Sequence, residues 1–189
     1  MSDSSIRILG IAGSLRRRSF NRGLLRAAQE VAPGAVEIDV FDLSDIPLYN
    51  EDLDAAGSPQ PVAALQTAVR DADALLVATP EYNTSMSGVL KNAIDWASQP
   101  FPNHGLRDKP VALMGASPGR FGTARAQGDV RSVLTALGCY VLPKPVLQVG
   151  AAGEKFSAEG DLEDESVRQK VGELLEALVE WTRMLRSGQ

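Results

Sequence analysis

Residues 6–21, IRILGIAGSLRRRSFN, constrain the fold more than any other stretch of the chain. The apolar run of Ile6, Ile8, Leu9, Ile11 and Ala12 predicts a strand covered on both faces, the pattern of a parallel sheet. Gly13 and Ser14 end that strand. Ser19 and Asn21 are placed to cap a helix carrying Leu24, Leu25, Ala28 and Val31 on one side. A strand–loop–helix unit of this kind aims unpaired backbone N–H groups and the positive end of a helix at one point, which suits a phosphate dianion. The loop adds the hydroxyls of Ser14 and Ser19, the Asn21 amide and three consecutive arginines, Arg16–Arg18.

The kind of phosphate follows from what the loop lacks. There is no G-x-x-x-x-G-K-S/T, hence no lysine and magnesium-binding hydroxyl of a P-loop. Nor is there a G-x-G-x-x-G, since Gly10-x-x-Gly13 has the wrong spacing for a pyrophosphate to approach. Hydroxyls and an amide without those glycines fit a terminal monophosphate, as on a mononucleotide. The bland alternative is a solvated turn with surface arginines.

The net charge of −5 argues against general nucleic-acid binding and makes the arginine cluster a local feature. The single cysteine, Cys139, has no internal disulfide partner and is expected as a small buried hydrophobe. One cysteine and one histidine predict no His/Cys metal site, and His104 is expected in a surface loop. The opening MSDSSIRILG lacks a basic segment followed by a long apolar one, so no leader is expected. No apolar run approaches the roughly 20 residues of a membrane span. The expectation is one soluble, cytoplasmic domain over residues 1–189 with no nucleic-acid or membrane partner.

Along the chain, Ala35–Leu43 alternates apolar and acidic residues and predicts an edge strand. Residues 44–61 read as a structureless loop, either functional or simply mobile. A helix opens at Pro61, and ADALLVATP (72–80) predicts a central strand. A third helix carries Val89, Leu90, Ala93, Ile94 and Trp96; PVALMGA (110–116) is a fourth strand, followed by a helix over Ala124–Leu137. Tyr140–Val149, interrupted by Pro143 and Pro145, predicts a fifth strand at an edge. The last helix spans about 163–185. Five strands alternating with five helices imply an α/β fold with a doubly wound parallel sheet. An edge second strand and apolar third and fourth strands favour the flavodoxin-like order 2-1-3-4-5, with a site built by the loops after strands one, three and four.

Four stretches, GSLRRRSFNRGL (13–24), PLYNEDL (47–53), PEYNTSMSGVLKNAIDW (80–96) and GASPGRFGTARAQGDVR (115–131), resemble the NADPH-dependent FMN reductase family, which includes bacterial quinone, chromate and azo-dye reductases. The likeness covers roughly residues 6–150 with the motifs in the family's order. It implies an FMN-binding loop of Ser14, Arg16, Ser19 and Asn21. It implies that Pro80, Glu81, Tyr82 and Asn83 lie along the flavin ring, and that Ser117, Gly119 and Arg120 lie near the ribityl chain. Glu81 is expected in a structural hydrogen bond or ion pair. By the same resemblance the chain is an FMN-dependent oxidoreductase of quinones or related small acceptors (azo compounds, chromate, free flavin), with NADPH or NADH as hydride donor. It also implies a homodimer or homotetramer, with the Leu90–Trp96 helix in the dimer contact. Ser87, Thr84 and Gly122-Thr123 depart from the family's usual residues at places expected to border the acceptor pocket.

Because a flavin carries the redox chemistry itself, no catalytic side chain and no metal is expected. The absence of a second nucleotide motif suggests a ping-pong cycle on one site. Two other classes remain open at this point: an electron carrier of flavodoxin type that serves a protein partner, and a non-catalytic relative of the fold.

Overall fold

The computed structural model describes residues 5–188; the first four residues of the stretch read for a leader, and Gln189, lie outside it. The order of elements is β1 (Ile6–Ala12), α1 (Phe20–Glu30), β2 (Val36–Phe41), α2 (Glu51–Ala55), α3 (Gln60–Asp71), β3 (Ala74–Ala78), α4 (Gly88–Ala97), β4 (Pro110–Ala116), α5 (Ala124–Ala136), β5 (Tyr140–Val141), β6 (Leu147–Val149) and α6 (Glu165–Ser187). All strand pairs are parallel, in the order β2-β1-β3-β4-β5.

Alternation along the central strands sends side chains to two cores. Ile6, Ile8 and Ala12 of β1 join Ala74, Leu76 and Ala78 of β3 in a layer closed by α1 and α6. Leu9, Ile11, Leu75 and Val77 point the other way, into a layer closed by α3, α4 and α5. A strand buried on both faces has no room for polar residues, which is why β1, β3 and β4 read as apolar runs. β2 pairs only with β1 and exposes Glu37 and Asp39, as an edge strand does.

Two expectations change. The fifth strand is divided: β5 and β6 both pair with β4, and the backbone between them contains Pro143 and Pro145. Proline supplies no N–H to a ladder, so pairing stops after Val141 and resumes at Leu147, beside the upper part of β4. Residues 44–61 are not structureless, because Asn50 caps α2 by accepting the Asp52 N–H at 2.8 Å.

Candidate functional site

A cavity of about 260 Å³ opens at the carboxyl ends of β1, β3 and β4. The loop after β1 contributes Ser14, Arg16, Ser19, Phe20 and Asn21; the loop after β3 contributes Pro80, Glu81 and Tyr82; the loop after β4 contributes Ala116, Ser117 and Pro118. The structure thus brings Ser14, Arg16, Ser19, Asn21, Pro80, Glu81, Tyr82 and Ser117 to one place. Asn83, Gly119 and Arg120 are neighbours of that wall in sequence but do not line it.

The first loop is built around the start of α1. Ser19 is its N-cap, with its Oγ accepting the Arg22 N–H at 3.4 Å, and the N–H groups of Phe20 and Asn21 have no partner within the helix. Ser14 and Ser19 are buried. Arg22 holds the loop from behind, donating to the Ser14 carbonyl at 3.2 Å and to Asp42 at 2.8 Å. The Arg16 guanidinium lies over the Phe20 ring, 4.7 Å from its centroid. Asn21, expected as a cap, instead lies inside the first turn of the helix. Its Nδ2 donates to the Ala116 carbonyl and its Oδ1 accepts the Ala116 N–H, each at 3.0 Å.

The second loop is a tight hairpin. Tyr82 and Ser85 exchange backbone hydrogen bonds at 3.0 and 3.1 Å, and Asn83 and Thr84 between them take φ of 51° and 66°. Positive φ at both central positions suits asparagine and strains a β-branched threonine. The hairpin is fastened to α5. Glu81 Oε2 accepts the N–H groups of Arg125 and Ala126 at 3.0 and 3.2 Å, and Ser85 Oγ donates to Asp129 at 2.6 Å. Thr123, the N-cap of α5, makes no side-chain cap, so the carboxylate of Glu81 takes that role at the positive helix end. Sequence reasoning missed Ser85, Arg125, Ala126 and Asp129, and no local pattern announces a cap supplied 44 residues away. Tyr82 remains 52% exposed, leaving its ring free at the mouth.

The third loop is seamed to residues 149–152. Ser117 N–H donates to the Val149 carbonyl at 3.0 Å, and the Ala151 and Ala152 N–H groups reach Gly119 and Ser117 carbonyls at 3.1 Å. Ser117 Oγ accepts the Gly119 N–H at 3.0 Å. Gly150 must lack a side chain, because a Cβ there would meet the Arg120 carbonyl at 2.3 Å. Arg120 itself lies over the exposed ring of Phe121, 5.9 Å from the centroid.

Further expectations are corrected around the site. Ser87 and Thr123 are buried, 1% and 0% exposed. Ser87 caps α4 and donates to the Gly13 carbonyl at 2.6 Å, a bond proline could not make. Trp96 is fully buried within this chain, its ring edge-on to Tyr49 and its Nε1 donating to the Pro47 carbonyl at 2.9 Å. Asn92 completes that clamp, accepting the Tyr49 N–H and donating to Pro47, both at 2.8 Å. The LKNAIDW motif therefore anchors the PLYN loop. His104 is buried rather than exposed, with Nδ1 lacking a hydrogen-bond partner, and burial beside the Arg107 charge holds its imidazole below the ordinary range. Cys139 is buried, as expected, and desolvation pushes its thiol up to about 12.

The donor set fits a phosphate monoester carrying a flat ring. Two helix N-terminal amides, two buried hydroxyls and a guanidinium come from the loop after β1 and the start of α1, and the exposed Tyr82 ring comes from the loop after β3. Among the described residues, no three His, Cys, Asp or Glu side chains group as a metal site, and no helix is long and apolar enough to cross a membrane.

Comparison with known proteins agrees with this chemistry. The family model described as NADPH-dependent FMN reductase matches residues 6–154. A Pseudomonas aeruginosa protein named NAD(P)H-dependent FMN reductase is 50% identical over 186 residues, covering 98% of this chain and 100% of that one. A 2-hydroxy-1,4-benzoquinone reductase from a Burkholderia species is 37% identical, covering 95% of this chain and 97% of its own. Among solved structures, a flavoenzyme NAD(P)H:(acceptor) oxidoreductase from Paracoccus denitrificans aligns with a TM-score of 0.86 at 34% identity, over 95% of this chain and 98% of that one.

Proposed function

From the premise that this chain belongs to the NADPH-dependent FMN reductase family, we propose that it binds FMN in the cavity between its three loops and reduces quinones or related small acceptors at the expense of NAD(P)H. The observation that carries this reading is the convergence of eight motif residues on one cavity, with phosphate donors from the loop after β1 and the Tyr82 ring from the loop after β3. Azo compounds, chromate and free flavin belong to the same class of acceptor. The Burkholderia relative's name supports a quinone.

FMN, when bound, supplies hydride acceptance from NAD(P)H and its delivery to the acceptor. The side chains bind and orient. Ser14, Arg16 and Ser19, with the first amides of α1, hold the phosphate; Asn21 keeps α1 in register with the loop after β4. Pro80, Glu81 and Tyr82 line the cavity from a hairpin made rigid by its bonds to α5, and Ser117 lines it from the loop after β4, with Asn83, Gly119 and Arg120 flanking them in the same two loops. The carboxylate of Glu81 accepts two backbone N–H bonds, which suits a structural role rather than acid–base work. With no second nucleotide motif in the sequence, NAD(P)H and acceptor use this site in turn.

The reading extends to a single FMN-binding domain working in the cytoplasm as a homodimer or homotetramer. Exposed Leu48 and Phe121 support association. The test is a visible spectrum of the purified protein before and after anaerobic NADPH, followed by initial rates against both substrates. Expected are a flavin spectrum that bleaches and parallel double-reciprocal plots. A protein that stays colourless with added FMN would overturn the cofactor assignment, and intersecting plots would overturn the alternation.

A further inference from the structure

We infer that Phe20 is a positioning residue that selects Arg16, out of three consecutive arginines, to meet the phosphate of FMN; this rests on the cofactor reading above. Both residues line the cavity, and the Arg16 guanidinium stands 4.7 Å from the Phe20 ring centroid. Arg17 and Arg18 are exposed and have no such ring beneath them.

The ring is itself well fixed. Phe20 is the first residue of α1, and its side chain packs on Phe156 at a centroid distance of 4.9 Å. Phe156 is buried and bridged to Leu162. The same 156–162 segment grips α1 elsewhere: Arg26 donates to the Gly160 carbonyl at 2.9 Å and to Asp161 at 2.8 Å. Gly23 lies so close to this segment that a Cβ there would fall 2.0 Å from the Gly160 carbonyl oxygen.

A guanidinium held on a ring face differs from one held by a carboxylate. An ion pair neutralises the charge and occupies N–H donors, whereas a ring takes neither, leaving the planar fork available to a phosphate. Among the described residues Arg16 has no carboxylate partner. The ring also narrows the rotamers of a long side chain before the ligand arrives, which raises affinity by preorganisation. Phe20 therefore serves phosphate recognition specifically.

The test titrates apoprotein with FMN and with riboflavin, which lacks the phosphate, and follows flavin fluorescence. Phe20→Leu is expected to weaken FMN binding by about two- to fivefold, the range of an exposed cation–π contact, with riboflavin affinity unchanged. Phe20→Tyr should retain wild-type FMN affinity. In an Arg16→Ala background, Phe20→Leu should have no further effect on FMN. Equal losses for FMN and riboflavin, or an undiminished Phe20→Leu effect without Arg16, would overturn the inference and make Phe20 a packing or ring-contact residue. A wild-type chain that binds FMN no tighter than riboflavin would overturn the phosphate site itself, and the role of Phe20 with it.

Discussion

Asn21 and Ala116 exchange two hydrogen bonds of 3.0 Å, with the side-chain amide standing in for a neighbouring strand at the last residue of β4. Both residues are buried, and 95 positions separate them in the chain. The pair ties the first turn of α1 to the end of β4, where both residues border the cavity. Asn21→Ala leaves a buried N–H and a buried C=O unmet, which costs about 1–3 kcal/mol for each such group. We expect a lower urea midpoint with an unchanged slope, and weaker FMN binding. Asn21→Asp should not rescue it, because a carboxylate cannot donate to the Ala116 carbonyl. A midpoint equal to wild type in either variant would show that the pair does not couple the two loops.

Removing donors from the phosphate end tests the site directly. Ser14→Ala combined with Arg16→Ala should weaken FMN binding, with about 1.5–3 kcal/mol lost per charge-assisted hydrogen bond. Neither residue is part of either hydrophobic core, so thermal stability of the apoprotein should change little. Equilibrium titration of apoprotein reads the affinity. FMN affinity equal to wild type would remove this loop from the site.

His104 gives stability a pH dependence whose sign follows from its environment. Its folded-state value lies below the ordinary 6.5 because burial, aided by the Arg107 charge, disfavours the imidazolium. At pH values between the two, the unfolded chain binds the extra proton and the folded chain does not. Stability from this residue is therefore retained above about pH 6.5 and lost as pH falls below it. Chemical denaturation at pH 7.5 and 5.5 should show a smaller loss in His104→Gln than in wild type. Equal losses would mean that His104 titrates alike in both states.

Cys139 should be inert in the folded protein. Its Sγ donates to the Leu106 carbonyl at 3.1 Å, and a thiol raised to about 12 is scarcely ionised at pH 8. A disulfide reagent at pH 8 should label no cysteine in native protein and one in urea. Stoichiometric native labelling would contradict the burial of this side chain.

Much of the architecture is local in origin. The apolar runs of β1, β3 and β4, the Ser19 cap and the phosphate-type loop are visible because two-sided burial and helix capping demand particular residues within a few positions. The three site loops were legible for the same reason, since a doubly wound sheet places them at one edge. The division of the last strand was half legible: Pro143 and Pro145 marked an interruption, but only pairing with β4 shows that β5 and β6 are separate.

The amino-acid sequence by itself determined the parallel α/β sheet, its order and the residue types that gather at its carboxyl edge. Tertiary structure alone decided what those residues do to one another. Glu81 caps a helix 44 residues away, Asn92 and Trp96 hold Pro47 across 45 and 49 residues, and Ser87 reaches the Gly13 carbonyl across 74. His104 departs from its expected surface position for the same reason, its burial being set by how the loop folds back and not by its polar neighbours in sequence. A buried polar group must find a partner, but any suitable donor or acceptor that the fold brings near will serve, so such contacts leave no periodicity for a sequence to show.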